Sequence, residues 1–450
     1  MNRMRNETLP PGIHNAYLFQ AFNAVSWQIC LGSPLILFAR EMGAPAVVLG
    51  LLAGLAPLTS TLQLLVAPHA ERIGYRRLLL SGWSARVATL IFLTLLPLSV
   101  TLLPQSTVIA LLVAIMVAFT SLRGIATVAW MPWVTAIVPR GLRGAYLSRD
   151  RTYISVASVA ALALSGFILT DGDNMRAFAV VFGLSFVGGV ISLFFLKRMP
   201  EPPADTPAIL PHSRSRWRDL LHDGAFVRLL IFSAVVQLCV LSTATFVTVF
   251  VREEVGLPDG VILWLAAGAA LVGIVALHLL RSRADRFGSR PFLGIAFLWW
   301  TVYYLAWFLL ATALAGSAWL IAPLLLLAAG FFAAMYEMAL TRLLMNTVGD
   351  RPDTTQYFAL QSVLVSLVAG SAPILWGWLL DQLQGVQVHL GRHALDGYAI
   401  FFGLQWLLLG VVLIAFERIQ EREATSTKVV LHRAWESATH PHAAFRTPRR

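Results

Sequence analysis

The chain has 450 residues, of which 58% are hydrophobic and only 13% are charged, and its mean hydropathy is +0.72. A soluble protein of this length does not normally carry repeated apolar runs of about 20 residues. The net charge of +11 and the pI near 10.3 suggest nucleic-acid binding at first, but the placement of the charges argues against it, as shown below.

Twelve apolar runs long enough to cross a bilayer follow one another along the chain. An α-helix satisfies its own backbone hydrogen bonds in lipid, whereas an outer-membrane barrel shows shorter segments of alternating polarity. The sequence therefore predicts an all-α membrane protein with twelve transmembrane helices, numbered here as spans 1 to 12. The runs lie near residues 16–39, 45–68, 78–102, 107–135, 152–170, 177–196, 225–251, 261–280, 291–315, 318–341, 357–380 and 398–416.

A short box of charged residues and glycine occurs twice, 214 residues apart. Glu71–Arg76 follows run 2, and Asp285–Arg290 follows run 8, with an acid, arginine, glycine and arginine in the same order. Other pairs recur at offsets between 209 and 213 residues, among them Phe38–Glu41 and Phe250–Glu253. An ordered series of matches along both halves indicates an internal duplication.

The cations are distributed asymmetrically about the predicted spans. If both termini are cytoplasmic, the cytoplasmic segments hold 27 of the 34 Lys and Arg residues and the outer segments hold four. This asymmetry follows the positive-inside rule, so we expect a multi-pass cell-membrane protein with both termini in the cytoplasm and no nucleic-acid partner. Thirty-two of the 34 cations are arginine, and together with the high Ala and Leu content this favours a bacterial inner membrane. The predicted organisation is an N-terminal six-helix bundle (1–198), a proline-rich cytoplasmic linker (199–223), a C-terminal six-helix bundle (224–417) and a cytoplasmic, disordered tail (418–450).

Together these features resemble the major facilitator superfamily of transporters. The boxes are similar to the motif A of that family, which places an acid, a cation, glycine and basic residues after spans 2 and 8. The resemblance implies two pseudo-symmetric six-helix bundles, alternating access, and a central cavity lined by spans 1, 4, 7 and 10. Both boxes depart from the motif, because the glycine expected four residues before the acid is Ala67 in one half and Arg281 in the other.

We interpret the repeated box as a cytoplasmic gate. Glycine permits a tight turn, and an acid can meet a helix N-terminus or an arginine, so the cluster can hold the cytoplasmic side in one conformation. The alternative for either box is a solvated loop that only satisfies the positive-inside rule. The gate candidates are Glu71, Arg72, Gly74, Arg76 and Arg77 in the first half and Asp285, Arg286, Gly288 and Arg290 in the second.

Predicted spans 4 and 10 each contain a charged residue at a similar depth. Charged side chains in spans usually face a cavity or a partner. We therefore expect Arg123 and Glu337 to pair across the cavity, and Glu337 is the candidate for proton coupling, since a carboxyl group buried near an arginine can be tuned to exchange protons. The alternatives are a static ion pair that holds the helices and a contact between Glu337 and Arg342.

Uncharged polar and aromatic residues complete the predicted solute site. On span 1, Gln20, Asn23 and Trp27 share one helical face and suit hydrogen bonding and stacking with a small organic solute. The alternative is that such amides join helices. Arg86 is interpreted as reaching from a shallow position toward the inner interface. The substrate-cavity candidates are Gln20, Asn23, Trp27, Arg123, Trp130, Gln237, Thr243, Glu337 and Gln361.

The sequence contains no nucleotide-binding loop or nucleophile motif, which argues against an ATP-driven pump and against an enzyme. We expect a secondary active transporter without a cofactor or a bound metal, acting as a monomer on a small-molecule solute, with protons as the candidate coupling ion and membrane lipid as its surroundings. Efflux of an amphipathic compound and uptake of an anionic metabolite both remain open. The alternative function is a transporter-shaped sensor or scaffold without net transport.

Overall fold

The computed structural model describes most of the chain, and its helices confirm the predicted all-α class. The described residues are 9–139, 142–170, 174–200, 220–313, 318–348, 354–390 and 393–419. Of these, the side chains of residues 71, 174, 281–286, 313, 354–355, 389–390 and 393–394 are not described. Most of the predicted linker and the whole tail beyond residue 419 therefore lie outside the described residues, and the predicted domain boundaries stay predictions.

Twelve segments of the described chain are long and apolar enough to cross a membrane, which is the predicted number. In order, spans 1 to 12 are His14–Glu41, Ala46–His69, Tyr75–Thr101, Gln105–Ile137, Arg143–Thr170, Met175–Lys197, Gly224–Glu253, Asp259–Leu280, Arg290–Thr312, Ala318–Val348, Gln356–Leu383 and Gly397–Glu417.

Several spans are built from more than one helix. Spans 1 and 7, which occupy equivalent places in the two repeats, both break about ten residues before their ends. The α-helices of the broken spans are His14–Leu31 and Ser33–Glu41; Ala46–Ser60 and Gln63–Val66; Gln105–Thr127 and Trp130–Ile137; and Gly224–Cys239 and Ala244–Glu253. A short helix, Ala70–Ile73, follows span 2. The other α-helices are Tyr75–Leu95, Arg143–Thr170, Asn174–Lys197, Asp259–Phe287, Arg290–Ala313, Ala318–Val348, Thr354–Gln382 and Gly397–Glu417, and the 3-10 helices are Ala67–His69, Leu96–Thr101 and Leu241–Thr243.

A small hairpin between spans 11 and 12 is the only sheet in the described part of the chain. Strands Val388–Leu390 and His393–Leu395 pair antiparallel, with His389 opposite Ala394. The hairpin joins two helices and leaves the all-α architecture unchanged.

Span 5 is longer than the sequence predicts. Its helix begins at Arg143, whereas the apolar run begins near residue 152. The charged triplet Arg149, Asp150 and Arg151 lies just before the apolar run, yet the helix extends through it and begins more than two turns earlier. As a result, these three charged side chains, which the sequence assigned to a loop, belong to a membrane-spanning helix.

Spans 2 and 11 pack backbone against backbone across the two halves of the chain. A Cβ atom on Gly54 would lie 2.0 Å from the carbonyl oxygen of Gly370, and one on Gly50 would lie 2.0 Å from that of Pro373. Spans 5 and 8 approach in the same way where Gly166 meets Gly260. Small residues allow helices to come this close in a membrane bundle, so these five glycines fix where the halves touch.

The two ends of the bundle can be named by their loops. We call the end that carries Arg40 and Glu253 the Arg40 end, and the opposite end, which carries the two repeated boxes, the Gly74 end. Both box glycines have left-handed backbone conformations, with φ of 87° at Gly74 and 84° at Gly288. A residue with a side chain is strained there, so glycine is needed for the sharp turns that lead into spans 3 and 9.

Candidate functional site

A buried polar chain connects spans 1, 3 and 5 inside the N-terminal half. The guanidinium Nη2 of Arg86 donates a hydrogen bond of 2.7 Å to the Oδ1 of Asn23. The amide nitrogen of Asn23 donates in turn to the Oε1 of Gln20 at 3.4 Å. The Gln20 side chain also interacts with the carboxylate of Asp150. The predicted polar face of span 1 thus lies between a buried cation and a buried anion.

Arg86 occupies a different position from the one the sequence suggested. Its side chain is completely buried, and it does not extend toward the inner interface. The guanidinium lies 4.7 Å from the ring centroid of Trp83 and 5.0 Å from that of Phe119. These cation–π contacts and the Asn23 oxygen partly compensate the buried charge. The shallow placement predicted from the sequence is therefore wrong.

Asp150 is a candidate that the sequence analysis missed. The side chain is 6% exposed, and its Oδ1 is buried without a hydrogen-bond partner. Its neighbours include Tyr17 and Arg151 as well as Gln20. Asp150 becomes a candidate only when the helix of span 5 is extended back to Arg143. The hydropathy of the segment does not indicate that extension.

Arg123 and Glu337 do not form the predicted ion pair. Arg123 of span 4 is half-buried and lies close to Arg86, so its charge faces another cation. The cation that acts on Glu337 of span 10 is Arg151 of span 5. Glu337 is exposed in this conformation. Its interaction with Arg151 is an interaction with the N-terminal half of the chain. The predicted partner of Glu337 is therefore wrong. The prediction that Glu337 interacts with the N-terminal half agrees with the effect of Arg151, which belongs to that half.

The remaining cavity candidates divide into two groups. Thr243 is 1% exposed and shares a hydrogen bond of 2.5 Å with the hydroxyl of Tyr304. Trp130 is 9% exposed and packs on Phe19 with ring centroids 4.9 Å apart. In this conformation both are packed inside their own halves and are not available to a solute, contrary to the expectation. The half-buried candidates are Gln20, Trp27, Gln237 and Gln361.

The predicted gate residues lie at the Gly74 end. Arg76 donates a hydrogen bond of 3.3 Å to the carbonyl oxygen of Lys197 at the end of span 6, whereas Arg72 and Arg77 are exposed. Arg290 lies over the ring of Phe416 at 5.7 Å. The side chains of Glu71, Asp285 and Arg286 lie outside the description. The gating role of the boxes therefore stays a prediction.

The Arg40 end is closed by two reciprocal ion pairs between the halves. Arg40 of span 1 pairs with Glu253 of span 7, and Arg252 of span 7 pairs with Glu41 of span 1. The Arg-Glu dipeptide is the same in both repeats, so each copy supplies the cation for one pair and the acid for the other. Arg252 also binds Asp259 at 2.7 Å. The repeat of this dipeptide is visible in the sequence, but the pairing between its two copies is not.

A third contact between the halves at this end is made by Asp381 of span 11. Its two carboxylate oxygens accept hydrogen bonds of 2.8 Å from the backbone nitrogens of Ala46 and Val47. A carboxylate at a helix N-terminus satisfies free N–H groups and complements the helix dipole. Asp381 thereby caps span 2, which belongs to the other half, and strengthens the closure at the Arg40 end.

A cavity of about 640 Å³ opens above this closure, lined in part by Arg40, Glu253, Glu254 and Asp396. Burial raises the pKa of the Glu254 carboxyl group, and the negative charges of Asp396 and Glu253 raise it further. This acidic vestibule lies between the closed contacts and the solvent at the Arg40 end.

Comparisons with known proteins agree with this architecture. The model of the Major Facilitator Superfamily matches residues 16–283. No curated protein matches the chain. A mutant of the nucleoside transporter NupG superposes with a TM-score of 0.67 at 10% identity, covering 91% of this chain and 100% of that one.

Two further solved structures are similar in the same way. The inward-open xylose transporter XylE from E. coli gives a TM-score of 0.65 at 14% identity, covering 93% of this chain and 98% of that one. A bacterial homologue of the human lysosomal transporter Spinster, inward-facing and occupied, also gives 0.65 at 14%, with 92% and 98% covered. Identities this low show a shared fold alone. The family model, however, matches more than half of the chain, and the protein therefore belongs to the major facilitator superfamily, a family of membrane transporters and not of enzymes.

Proposed function

We propose that this protein is a secondary active transporter that moves a small organic solute by alternating access. The observation that carries the proposal is the asymmetry between its two ends. At the Arg40 end, two reciprocal ion pairs and the cap by Asp381 join the halves. Toward the Gly74 end, Glu337 and Arg151 attract each other across the halves without forming an ion pair. In alternating access, the two halves rock about a central site, and the protein is closed on one side of that site at a time. The closed Arg40 end fits one such conformation.

The proposed orientation places the Gly74 end and both termini in the cytoplasm of a bacterial cell, with the protein in the inner membrane. Support comes from the excess of Lys and Arg in the segments at that end. The vestibule lined by Glu253, Glu254 and Asp396 then faces the outside.

The central solute site is proposed to lie among Gln20, Asn23, Trp27 and Arg123 of the N-terminal half. Glu337 of the C-terminal half is proposed as the proton-coupling residue, and the protein is proposed to act as a monomer.

The test is solute exchange in proteoliposomes combined with a reversible bridge across the Arg40 end. Vesicles are loaded with a mixture of small metabolites, and exchange for external labelled solutes is followed by mass spectrometry. Arg40→Cys and Glu253→Cys are combined in a protein whose native Cys30 and Cys239 are replaced by alanine. A short bis-methanethiosulfonate reagent joins the two new thiols, and a reductant releases them.

We expect exchange to fall by at least about tenfold when the bridge is closed and to recover on reduction, because alternating access requires the Arg40 end to open. The single-cysteine variants treated with the same reagent are the matched controls and keep their exchange. Full exchange through the bridged protein would overturn alternating access at this end. Solutes that bind to the protein but are never exchanged would instead favour the alternative function, a sensor without net transport.

A further inference from the structure

Two arginines inside the N-terminal half have no carboxylate acting on them within the described residues. Arg86 of span 3 is completely buried, and its charge is opposed by that of Arg123 of span 4. Neither guanidinium has a carboxylate among the groups that act on it, and the one acidic group beside Arg86 is the thiol of Cys30. Two like charges close together in a medium of low polarity repel each other strongly, and each also loses its hydration. A membrane protein retains such a pair where the charge has a use.

The contacts around Arg86 compensate its charge only in part. Asn23 accepts one hydrogen bond from Nη2, and the rings of Trp83 and Phe119 flank the guanidinium. The other two nitrogens, Nε and Nη1, are buried without a hydrogen-bond partner. Five donors in a fixed planar fork suit a carboxylate or phosphate group, and the amide oxygen of Asn23 uses only one of them.

The nearby carboxylates are engaged elsewhere. Asp150 interacts with Gln20 and Arg151, and Glu337 also has Arg151 as its cation. The cation that acts on both carboxylates is Arg151, and the positive charge without a carboxylate lies at Arg86 and Arg123. Arg123 is half-buried, whereas Arg86 is completely buried and hydrogen-bonded to Asn23, so Arg123 is the more accessible of the two.

We propose that the solute is an organic anion whose carboxylate or phosphate group binds to Arg123, with Arg86 as a positioning residue that supplies a second positive charge from behind Asn23. Trp27, half-buried and on the same face of span 1 as Asn23, offers a ring for the organic part of the solute. This inference rests on the proposed transport function, and it names the chemical class of the cargo.

The first experiment measures the electrostatic potential beside Arg123 without needing the natural solute. Thr127 lies one helical turn from Arg123 on the same face, and its hydroxyl donates to the Arg123 carbonyl oxygen. Thr127→Cys, in a protein with Cys30→Ala and Cys239→Ala, is reacted with an anionic and a cationic methanethiosulfonate of similar size. The ratio of the two rates is normalised to the ratio for a free thiol.

We expect the normalised ratio to favour the anionic reagent by about fivefold or more, because a single charge a few ångströms away changes the two rates in opposite directions. Arg123→Gln and Arg86→Gln each lower the ratio, and Arg123→Lys keeps it high. Arg228→Gln, which removes an exposed arginine at the start of span 7, is the matched control and leaves it unchanged. A wild-type ratio at or below that of the free thiol would overturn the inference.

The second experiment asks which charge the cargo carries. Proteoliposomes are loaded with matched pairs, each a carboxylate and its amide (benzoate with benzamide, nicotinate with nicotinamide), together with a sugar phosphate and its free sugar. Release is counted only above that from protein-free vesicles, which corrects for passive leakage of the neutral members. We expect such release of the acidic members only, and at least a tenfold slower release from Arg123→Gln. Release of carboxylates or of phosphates alone identifies the anionic group. Release of amides or free sugars with retention of the acids would overturn the anion inference and leave the transport function standing.

Discussion

At the scale of single residues, Asn23 is the residue through which the buried charge of Arg86 is coupled to the rest of the polar chain. It is 8% exposed, accepts a hydrogen bond from Arg86 and donates one to Gln20. The sequence placed Asn23 on the polar face of span 1 but could not identify Arg86 as its partner. The two residues are 63 positions apart, and only the packing of span 1 against span 3 brings them together.

Asn23→Leu is expected to destabilise the protein by about 1–3 kcal/mol, because it removes the one hydrogen-bond acceptor of a buried guanidinium. The loss is measured by thermal unfolding of the purified protein in detergent. Gln28→Leu makes the same chemical change in the same helix but off this face, and it is expected to alter stability by less than about 0.5 kcal/mol. Equal destabilisation by the two variants would show that the Asn23–Arg86 contact has no special contribution.

Two errors of the sequence analysis at this scale have one physical cause. Hydropathy ranks a segment by its average, so the charged triplet at Arg149, Asp150 and Arg151 made predicted run 5 begin too late along the chain. Conversely, Arg86 was assigned a shallow position because long cationic side chains usually extend to the interface. Three-dimensional packing decided both cases: Asp150 and Arg86 are each enclosed by neighbouring spans.

At the scale of the elements, the sequence predicted the spans and the duplication but not the closure. The twelve spans follow from apolar length, and the repeated boxes follow from their matching offset. The reciprocal pairs of Arg40 with Glu253 and of Arg252 with Glu41 join residues more than 200 positions apart. Such pairs exist only when the halves approach at the Arg40 end, so they belong to one conformation, and a sequence pattern cannot indicate which conformation is populated.

Glu253→Gln is expected to shift the protein toward conformations open at the Arg40 end. An exposed ion pair contributes about 0.2–1 kcal/mol, so the open population should rise about 1.5- to 5-fold. The readout is labelling of Gln237→Cys, in the protein without native cysteines, by a membrane-impermeant thiol reagent added at the Arg40 end. The exchanged pair Arg40→Glu with Glu253→Arg restores slow labelling, because it rebuilds the attraction with reversed polarity.

Glu254→Gln is the matched control for the charge change. Glu254 adjoins Glu253, and the charged groups that act on it, Asp396 and Glu253, belong to its own half. Its replacement therefore removes a negative charge from the vestibule without removing a link between the halves, and labelling should stay at the wild-type rate. If Glu254→Gln accelerates labelling as much as Glu253→Gln does, the net charge of the vestibule controls the closure and the reciprocal pairs do not.

At the scale of the whole molecule, the two halves contribute unequally to the proposed transport cycle. The N-terminal half holds the polar chain from Arg86 to Asp150 and the arginine pair, whereas the C-terminal half presents Glu337 to it. This arrangement couples the movement of solute to that of protons if an acid in one half changes its protonation when the solute binds to the other half. The described contacts leave two acids for that role, Glu337 and Asp150.

Exchange and accumulation separate the coupling role of Glu337 from a structural one. Exchange of solute across the vesicle membrane needs no net proton movement, whereas accumulation driven by an imposed pH gradient does. Glu337→Gln is therefore expected to keep exchange within about twofold of wild type and to abolish accumulation, and Glu417→Gln, an exposed acid at the end of span 12, should preserve both. Loss of accumulation in Asp150→Asn but not in Glu337→Gln would transfer the role to Asp150. Wild-type accumulation by both variants would exclude either acid as the coupling residue.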